Sequence, residues 1–199
     1  MRIHYVLIDF ESVQPTSLAA LEEDPYRVLV FVGTTQSKLS FDVVSSIQRM
    51  GDRARYMKMS GAGPNALDFH IAFYIGELAA GDPTAFFHII SKDTGFDPLI
   101  KHLKERHISA RRLASIEEMP QVRATAKGLA QERARVFAEA LRQPKATKPR
   151  TEKTLGRHIA AFFQKQKLSE VEIESVVASM IADGHIRIAD GKVAYVLAQ

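Results

Sequence analysis

Four aspartates stand where the sequence predicts that a strand gives way to a loop or that a helix begins. They are Asp9, Asp68, Asp93 and Asp97. Carboxylate oxygens are hard ligands that suit Mg²⁺ or Mn²⁺, and a pair of such ions in one pocket can promote cleavage of a phosphodiester bond. We therefore expect these side chains to form a site for divalent cations.

Three of the aspartates also have a structural explanation. Asp68 falls in the predicted first turn of a helix, where a negative charge is favourable. Asp97 precedes Pro98, and this pair suits the start of a helix. Asp9 could simply end a strand. Asp93 closes a predicted strand and opens a loop, so an acid there is harder to explain without a ligand role.

The elements that must position these acids alternate along the first 113 residues. Apolar runs predict strands at 3–8, 27–33, 53–59, 86–90 and 108–113, and helical patterns occupy 16–23, 41–50, 66–79 and 99–106. Strands that are apolar on both faces belong in a parallel sheet covered by helices. We predict a three-layer α/β/α sandwich with a mostly parallel sheet of about five strands. Ligands bind such sheets beyond the carboxyl ends of the strands, where Asp9 and Asp93 are predicted to lie.

The composition excludes several classes of site. The chain has 199 residues and 46% hydrophobic residues, enough for one core and a smaller second unit. It contains no cysteine, so disulfides and thiolate zinc sites are excluded, and its histidines lack the spacing of metal ligands. No apolar run is long enough for a membrane span, and residues 1–10 do not resemble a secretory signal. We expect a cytoplasmic protein without a membrane partner.

The chain after residue 120 has a different pattern. Residues 121–142 predict an amphipathic helix, with a candidate apolar stripe made of Val122, Leu129, Val136, Phe137 and Leu141. Residues 143–153 predict a basic linker with two prolines. Residues 154–199 predict a small α+β domain similar to a truncated winged helix. Its second helix starts at a Ser169–Glu172 capping box. Its predicted hairpin consists of strands at 185–189 and 192–197, joined at Asp190–Gly191.

The basic residues are concentrated in one segment. Residues 121–153 hold nine Lys and Arg and three Asp and Glu, whereas residues 1–120 hold 13 and 15. Cations beside an acidic domain are expected in a protein that binds a polyanion, and Lys145, Lys148 and Arg150 are candidates for phosphate contacts. A solvated helix and tether would explain the same charges equally well.

Three motifs in the first part resemble the PIN-like nucleases of the NYN branch. They are VLIDFESV at 6–13, NALDFHIAF at 65–73 and IISKDTGFDPLI at 89–100. The last has the family form hydrophobic-Ser-x-Asp-x-x-Phe-x-x-Leu. The resemblance implies a PIN-like sandwich and cleavage of RNA with Mg²⁺ or Mn²⁺. It places Asp9, Asp68, Asp93 and Asp97 at the acidic positions that bind metal and catalyse.

The chain departs from the family pattern at two places. Ser12 stands where the family usually has Asn, and the helix after Asp68 lacks the further acid of many relatives. Glu77 is half a turn away from Asp68 on that helix, so Glu11 is the better candidate for the extra acid. The candidate side chains for substrate binding in this domain are Ser12, Thr34, Lys38, Ser91 and Lys92.

Two other functions stay open from the sequence. One is a nucleic-acid-binding or scaffolding protein that kept the fold and lost activity, which Ser12 and the missing acid favour. The other is a phosphatase-like or nucleotide-binding sandwich, because many chemistries share such sheets. For the partner we expect RNA, with DNA as the alternative. The C-terminal domain resembles the winged-helix modules, including the LOTUS type, that accompany some NYN nucleases, and it is a candidate surface for a homodimer or another protein.

Overall fold

The structure is a computed structural model that describes residues 2–23, 25–36, 38–59, 61, 63 and 65–196. The chain divides into two compact units, Met1–Val122 and Arg123–Gln199. All four candidate aspartates belong to the first unit, and the basic segment around Lys145 belongs to the second.

A five-stranded sheet forms the centre of the first unit. Its strands are β1 (His4–Asp9), β2 (Tyr26–Val32), β3 (Ala54–Lys58), β4 (Phe86–Ile90) and β5 (Ser109–Leu113). They lie in the order β3-β2-β1-β4-β5, and every neighbouring pair is parallel. The predicted α/β fold with a parallel sheet is confirmed. The central strands are apolar on both faces because helices cover both sides of them.

Two core clusters fill the space between the sheet and its helices. On one face α1 (Phe41–Met50) packs Val43, Ile47 and Met50 against strand residues such as Val30. On the other face lie α2 (Ala66–Gly81) and α3 (Asp97–Glu105), whose apolar side chains pack against the opposite residues of the same strands. Alternate strand residues point to opposite faces, so one strand contributes to both clusters.

The predicted helix at 16–23 is wrong. The structure has only a short 3₁₀ turn there, Ala19–Leu21. Leu18 and Leu21 are fully buried, and Glu22 accepts hydrogen bonds from Ser46 and Arg49 of α1. The segment needs only one turn to bury both leucines and to bring Glu22 to α1.

The strand order creates a switch point between β1 and β4. From β1 the chain builds outward through β2 and β3, then returns to form β4 and β5 on the other side of β1. The connections after β1 and β4 therefore leave the sheet in opposite directions, and a crevice opens between them at the carboxyl ends. Open parallel sheets bind their ligands at such a point.

The described part of the second unit contains three α-helices, a short 3₁₀ helix at Gln164–Gln166 and a hairpin. The helices are α4 (Pro120–Arg142), which begins just before the division between the units, α5 (Glu152–Phe162) and α6 (Glu170–Ala182); the strands are β6 (Ile186–Ala189) and β7 (Lys192–Tyr195). The Ser169–Glu172 capping box is present at the start of α6. Asp190 and Gly191 both have positive φ, as expected for a tight turn between antiparallel strands. Leu197, predicted as the end of the hairpin, lies outside the described residues.

The buried face of α4 differs from the predicted stripe. Leu129 is 51% exposed and Val136 is also exposed, whereas Ala130, Ala134 and Ala138 are buried together with the predicted Phe137 and Leu141. Alanines allow helices to approach closely, so the buried face follows the small residues. None of the helices that the structure describes combines the length and apolar character needed to cross a bilayer.

The segment between α4 and α5 is held by the hairpin. The Tyr195 hydroxyl donates to the carbonyl of Pro149, and the Val193 amide donates to the carbonyl of Arg150. Thr151 forms an isolated antiparallel bridge with Lys192. The end of the predicted linker thus runs beside β7 as an added extended segment, and its Lys145, Lys148 and Arg150 side chains are exposed.

Candidate active site

Asp9 is the last residue of β1 and is only 5% exposed. Its Oδ1 accepts hydrogen bonds from the backbone amides of Glu11 and Ser12 at 3.2 and 3.1 Å. Its Oδ2 accepts from the Ser91 hydroxyl at 2.7 Å. A carboxylate has about four lone-pair positions, so these three bonds leave it with capacity for a further partner. The chain turns at once after β1, and that turn brings both amides to the carboxylate.

Two serines join the loops that follow β1 and β4. Ser91 is fully buried; its hydroxyl donates to Asp9 and accepts from the Asp93 amide at 3.0 Å. The Ser12 hydroxyl accepts from the Lys92 amide at 2.9 Å. Both serines were predicted to bind substrate. The contacts described for their hydroxyls lie within the protein, where they position the acids and fix the two loops against each other.

Asp93 and Asp68 reach the same place from other elements. Asp93 follows β4, is exposed, and caps a 3₁₀ turn at Thr94–Phe96 by accepting from the Gly95 amide at 2.7 Å. Asp68 is half-buried in the first turn of α2. Burial, and then the nearby charges of Asp93, Asp9 and Glu11, raise the pKa of Asp68 above its usual value. The acids are thus close enough to repel one another, and a bound cation would relieve that repulsion.

A cleft of about 610 Å³ opens at the carboxyl edge of the sheet. Asp9, Asp68 and Asp93 all line it, together with Glu11. Its rim includes the loop after β2, the loop before α2 and Lys92. The side chains that can accept a cation therefore come from three separate parts of the sequence and meet at the switch point of the sheet.

Asp97 occupies a different position. Both of its carboxylate oxygens accept hydrogen bonds from Arg112 of β5, at 2.7 and 3.3 Å, and the side chain is 56% exposed. This ion pair lowers the pKa of Asp97. Arg112 also donates to the carbonyl of Ser91 at 3.2 Å. Asp97 is not among the residues lining the cleft, and its contacts support the loop that carries Asp93.

Gly33 is a site residue that sequence reasoning missed. It follows β2 and is buried, and a Cβ added there would overlap the carboxylate of Glu11. A glycine at this point is what allows Glu11 to extend across the end of β2 and line the cleft. The only sequence signal was a glycine immediately after an apolar strand, which is also common where a chain simply turns.

The remaining predicted substrate-binding residues fall into three groups. Thr34 and Lys92 line the cleft, as does Thr35. Lys38 is exposed and outside the cleft lining. Lys145, Lys148 and Arg150 belong to the second unit, where the Lys148 ammonium lies 6.0 Å from the centre of the Tyr195 ring.

The donor chemistry of the cleft fits Mg²⁺ or Mn²⁺. Within the described part of the chain, no group of three or more His, Cys, Asp or Glu side chains is already arranged around one cation position. Mg²⁺ does not require such a cage, because it commonly binds one or two carboxylates and completes its shell with water and substrate phosphate. Asp9, Asp68 and Asp93 provide oxygen ligands of that kind.

Comparison with known families decides the identity of the first unit. A family model described as the PIN domain matches residues 3–113, more than half of the chain. This protein belongs to the PIN domain family. The matched range contains Asp9, Asp68, Asp93 and the whole sheet. No curated protein and no solved structure gives a significant match.

Membership of the PIN domain family gives the cleft a general chemistry. PIN domains are generally nucleases that require divalent metal ions, commonly Mg²⁺ or Mn²⁺, and they act on nucleic acid. The acidic cleft of this PIN domain lies where an open parallel sheet binds its ligand, and its donor set agrees with that requirement.

Proposed function

We propose that this protein is a metal-dependent endoribonuclease of the NYN branch of PIN-like proteins. The observation that carries the proposal is the meeting of Asp9, Asp68 and Asp93 in one cleft, from the end of β1, the start of α2 and the loop after β4. The resemblance of 89–100 to the third NYN motif supports the branch.

Each acid has a role that follows from its surroundings. Asp9, Asp68 and Asp93 would hold the divalent ions, whose chemistry there would be the activation of a water and the neutralisation of charge on the leaving oxygen. Ser91 keeps Asp9 and the start of the Asp93 loop in register. We assign Asp97 a positioning role through Arg112 rather than direct metal binding, since both of its oxygens already accept from the guanidinium.

The substrate in this proposal is RNA, whose phosphates approach Lys92, Thr34 and Thr35 at the rim of the cleft. The exposed Lys145, Lys148 and Arg150 of the second unit supply further attraction for the chain of phosphates. A winged-helix-like module in the second unit is supported by helices α5 and α6, the hairpin and the bridge at Thr151. Its proposed role is contact with a second copy of the chain or with another protein. The cysteine-free composition suits the cytoplasm.

Cleavage of end-labelled single-stranded RNA by the full chain tests the proposal. We expect internal cuts with Mg²⁺ or Mn²⁺, no cuts in excess EDTA, and loss of cutting in Asp93→Asn. Asp52→Asn, which changes an exposed acid outside the cleft, serves as the matched control and should cut normally. Cutting that persists in EDTA, or that Asp93→Asn leaves intact, would refute the metal-dependent mechanism.

Two observations favour a second candidate, a binding or scaffolding protein without activity. Among the described residues no three acids are arranged around one position, and Ser12 replaces the usual Asn. This candidate predicts RNA binding by the wild-type chain without any cleavage product in either metal. The same labelled RNA, followed by a mobility shift and by product length, therefore separates the two functions.

A further inference from the structure

The outward face of α2 is aromatic and exposed. Phe69 is 71% exposed and Phe73 is 65% exposed, one helical turn apart. Leu67, Ile71 and Ile75 cover the sheet, so the helix is apolar on its inner and its outer side. A helix on the surface of a soluble domain normally presents polar residues to water. Two large apolar rings side by side in solvent indicate a surface that binds something.

This face is continuous with the cleft. Ala66, Phe69 and Phe73 lie three and four residues apart, so they follow one another along one side of the helix. Ala66 lines the cleft, and so does Asp68, the residue before Phe69. A strand that leaves the cleft over the first turn of α2 therefore meets Phe69 first and Phe73 next.

The Phe73 ring of this face is held in place by its neighbours. The Phe73 ring meets the Tyr74 ring edge to face at 5.5 Å, and Tyr74 meets the buried Phe31 ring at 5.6 Å. A shallow depression of about 310 Å³ lies among Phe69, His70, Phe73 and Tyr74. Because Phe73 rests on a ring that is packed against the core, it loses little freedom when a flat ligand stacks on it.

The area of the aromatic face decides whether it suits another protein or the bases of a nucleic acid. At these exposures the two Phe side chains present about 250 Å² of apolar area. A stable protein interface buries about 800 Å² on each partner, so the two rings alone are too small for a dimer. Flat bases need far less area, and proteins that bind single strands stack successive bases on exposed aromatic rings.

We propose that Phe69 and Phe73 form a stacking platform for two unpaired bases of the RNA strand that lies in the cleft. The proposal rests on the proposed nuclease function, because it takes the strand in the cleft to be RNA. The platform makes single-stranded RNA the preferred substrate, since bases inside a duplex are not free to stack on side chains. It tolerates different sequences, because every base has an aromatic face.

Binding of two matched oligonucleotides to the full chain tests the platform. The probes are a fluorescein-labelled oligouridylate and a strand of the same length whose nucleotides lack bases, both measured by anisotropy with the Asp93→Asn protein so that neither is cut. We expect the uridylate to bind more tightly than the abasic strand. Phe69→Leu and Phe73→Leu together should abolish that preference. Affinity for the uridylate should fall by about tenfold or more for each base that stacks. Their affinity for the abasic strand should stay unchanged.

Further variants keep the result interpretable. Phe69→Trp with Phe73→Trp retains flat rings and should retain the preference. Phe41→Ala removes an aromatic side chain that is 81% exposed and outside the cleft, and it should not change the preference. Leucine at 69 and 73 keeps the apolar bulk, and both positions are exposed, so circular dichroism should show a normal fold.

Three outcomes would overturn the platform. They are equal affinity for the two strands, a base preference that survives the leucine changes, and leucine variants that alter only the oligomeric state measured by light scattering. The last outcome would assign the face to a second copy of the chain. Cleavage by the wild-type protein is measured separately. A cutting enzyme without ring-dependent binding refutes the platform alone, and ring-dependent binding without cutting refutes the nuclease proposal alone.

Discussion

Buried polar groups at the two ends of the central sheet differ in their hydrogen-bond partners. At the carboxyl end, Asp9 accepts three hydrogen bonds, from two backbone amides and the Ser91 hydroxyl. At the amino end, His4 and His88 share one hydrogen bond between ring nitrogens at 2.9 Å. His88 is fully buried, and its Nδ1 has no partner among the described residues.

The difference concerns the groups that surround each polar side chain. The groups directed at Asp9 are all hydrogen-bond donors, as suits a carboxylate that acts as an acceptor. Around His88 the charged neighbours are cationic, Arg2 and Arg111, and both guanidinium groups lie over the Phe86 ring, at 5.1 and 4.4 Å. Burial, and then His4 and these arginines, lower the pKa of His88 to about 3. The carboxyl end thus presents an acceptor that lines a cleft, whereas the amino end holds a buried ring that favours its neutral form.

The largest effect should come from removing the charge at the carboxyl end. Asp9→Asn should reduce RNA cleavage by at least about 100-fold, since even a group that only supports a metal ligand can cost that much. It should also destabilise the fold by about 1–2 kcal/mol, because the amide nitrogen would face groups that now donate to an oxygen. Cleavage rates and urea unfolding measure the two effects.

Asp93→Asn is the matched control for that prediction. It removes a charge from the same cleft, but asparagine can still accept from the Gly95 amide and keep the cap. Cleavage should fall by as much as in Asp9→Asn. The stability of the fold should stay the same or rise, since one of several crowded charges has been removed. Equal destabilisation by the two variants would contradict the distinct role given to the donors around Asp9.

At the amino end the expected effect is on stability against pH. An unfolded histidine binds a proton below a pH of about 6.5, whereas folded His88 does so only below its pKa of about 3. The unfolded state therefore binds more protons between these values. The His88 contribution is full above pH 6.5 and falls by up to about 1.4 kcal/mol for each pH unit below it.

Unfolding of the wild type and His88→Asn across pH 3–7 measures this contribution. The variant should lose stability less steeply on acidification, whatever its stability at neutral pH. His102→Asn, which changes an exposed histidine of α3, should follow the wild-type profile. Parallel profiles for the wild type and His88→Asn would show that His88 does not make the folding stability depend on pH.

A smaller effect should separate Asp97 from the acids of the cleft. If Asp97 acts only through Arg112, Asp97→Asn should slow cleavage by roughly tenfold, the cost of losing a supporting group. Arg112→Gln should slow it by a similar factor, and the double variant should be no worse than either single one. A loss as large as that of Asp93→Asn, with additive effects, would return Asp97 to the metal ligands.

The convergence of Asp9, Asp68 and Asp93 could be predicted because it depends on local patterns. Apolar runs located the strands, and the carboxyl ends of parallel strands must meet at one edge of the sheet. The partner of Asp97 could not be predicted in this way. Arg112 lies on β5, and nothing in its own segment shows that its side chain turns towards the loop after β4.

The errors at 16–23 and in α4 have a common cause. Both predictions depend on the helical pattern of the sequence alone, and for 121–142 also on a stripe of large apolar residues. In the first, Leu18 and Leu21 are buried by a single turn. In α4, alanines such as Ala134 are buried in the core of the second unit while Leu129 is exposed. Periodicity of hydrophobicity alone contains no information on such contacts.

The smallest effect should come from three exposed cations of the second unit. Lys145, Lys148 and Arg150 are exposed beside a backbone that the hairpin holds through Pro149 and Arg150 carbonyls. Their charges are free to meet phosphates, and replacing them with glutamine should not unfold the unit. Each phosphate contact contributes about 0.7 to the slope of log affinity against log salt for a single strand, so the triple variant should flatten the slope by about 2.

Titration of labelled RNA at several salt concentrations gives that slope. Replacing Lys165 and Lys167, two exposed lysines after α5, together with Arg187 of β6 by glutamine removes the same charge from elsewhere in the unit and serves as the control. A control that flattens the slope as much would mean that net charge alone attracts RNA. An unchanged slope in the variant at 145, 148 and 150 would mean that these cations do not touch phosphate. The attraction would then have to come from the rim of the cleft at Thr34, Thr35 and Lys92, where a few contacts act close to the charges of the acids.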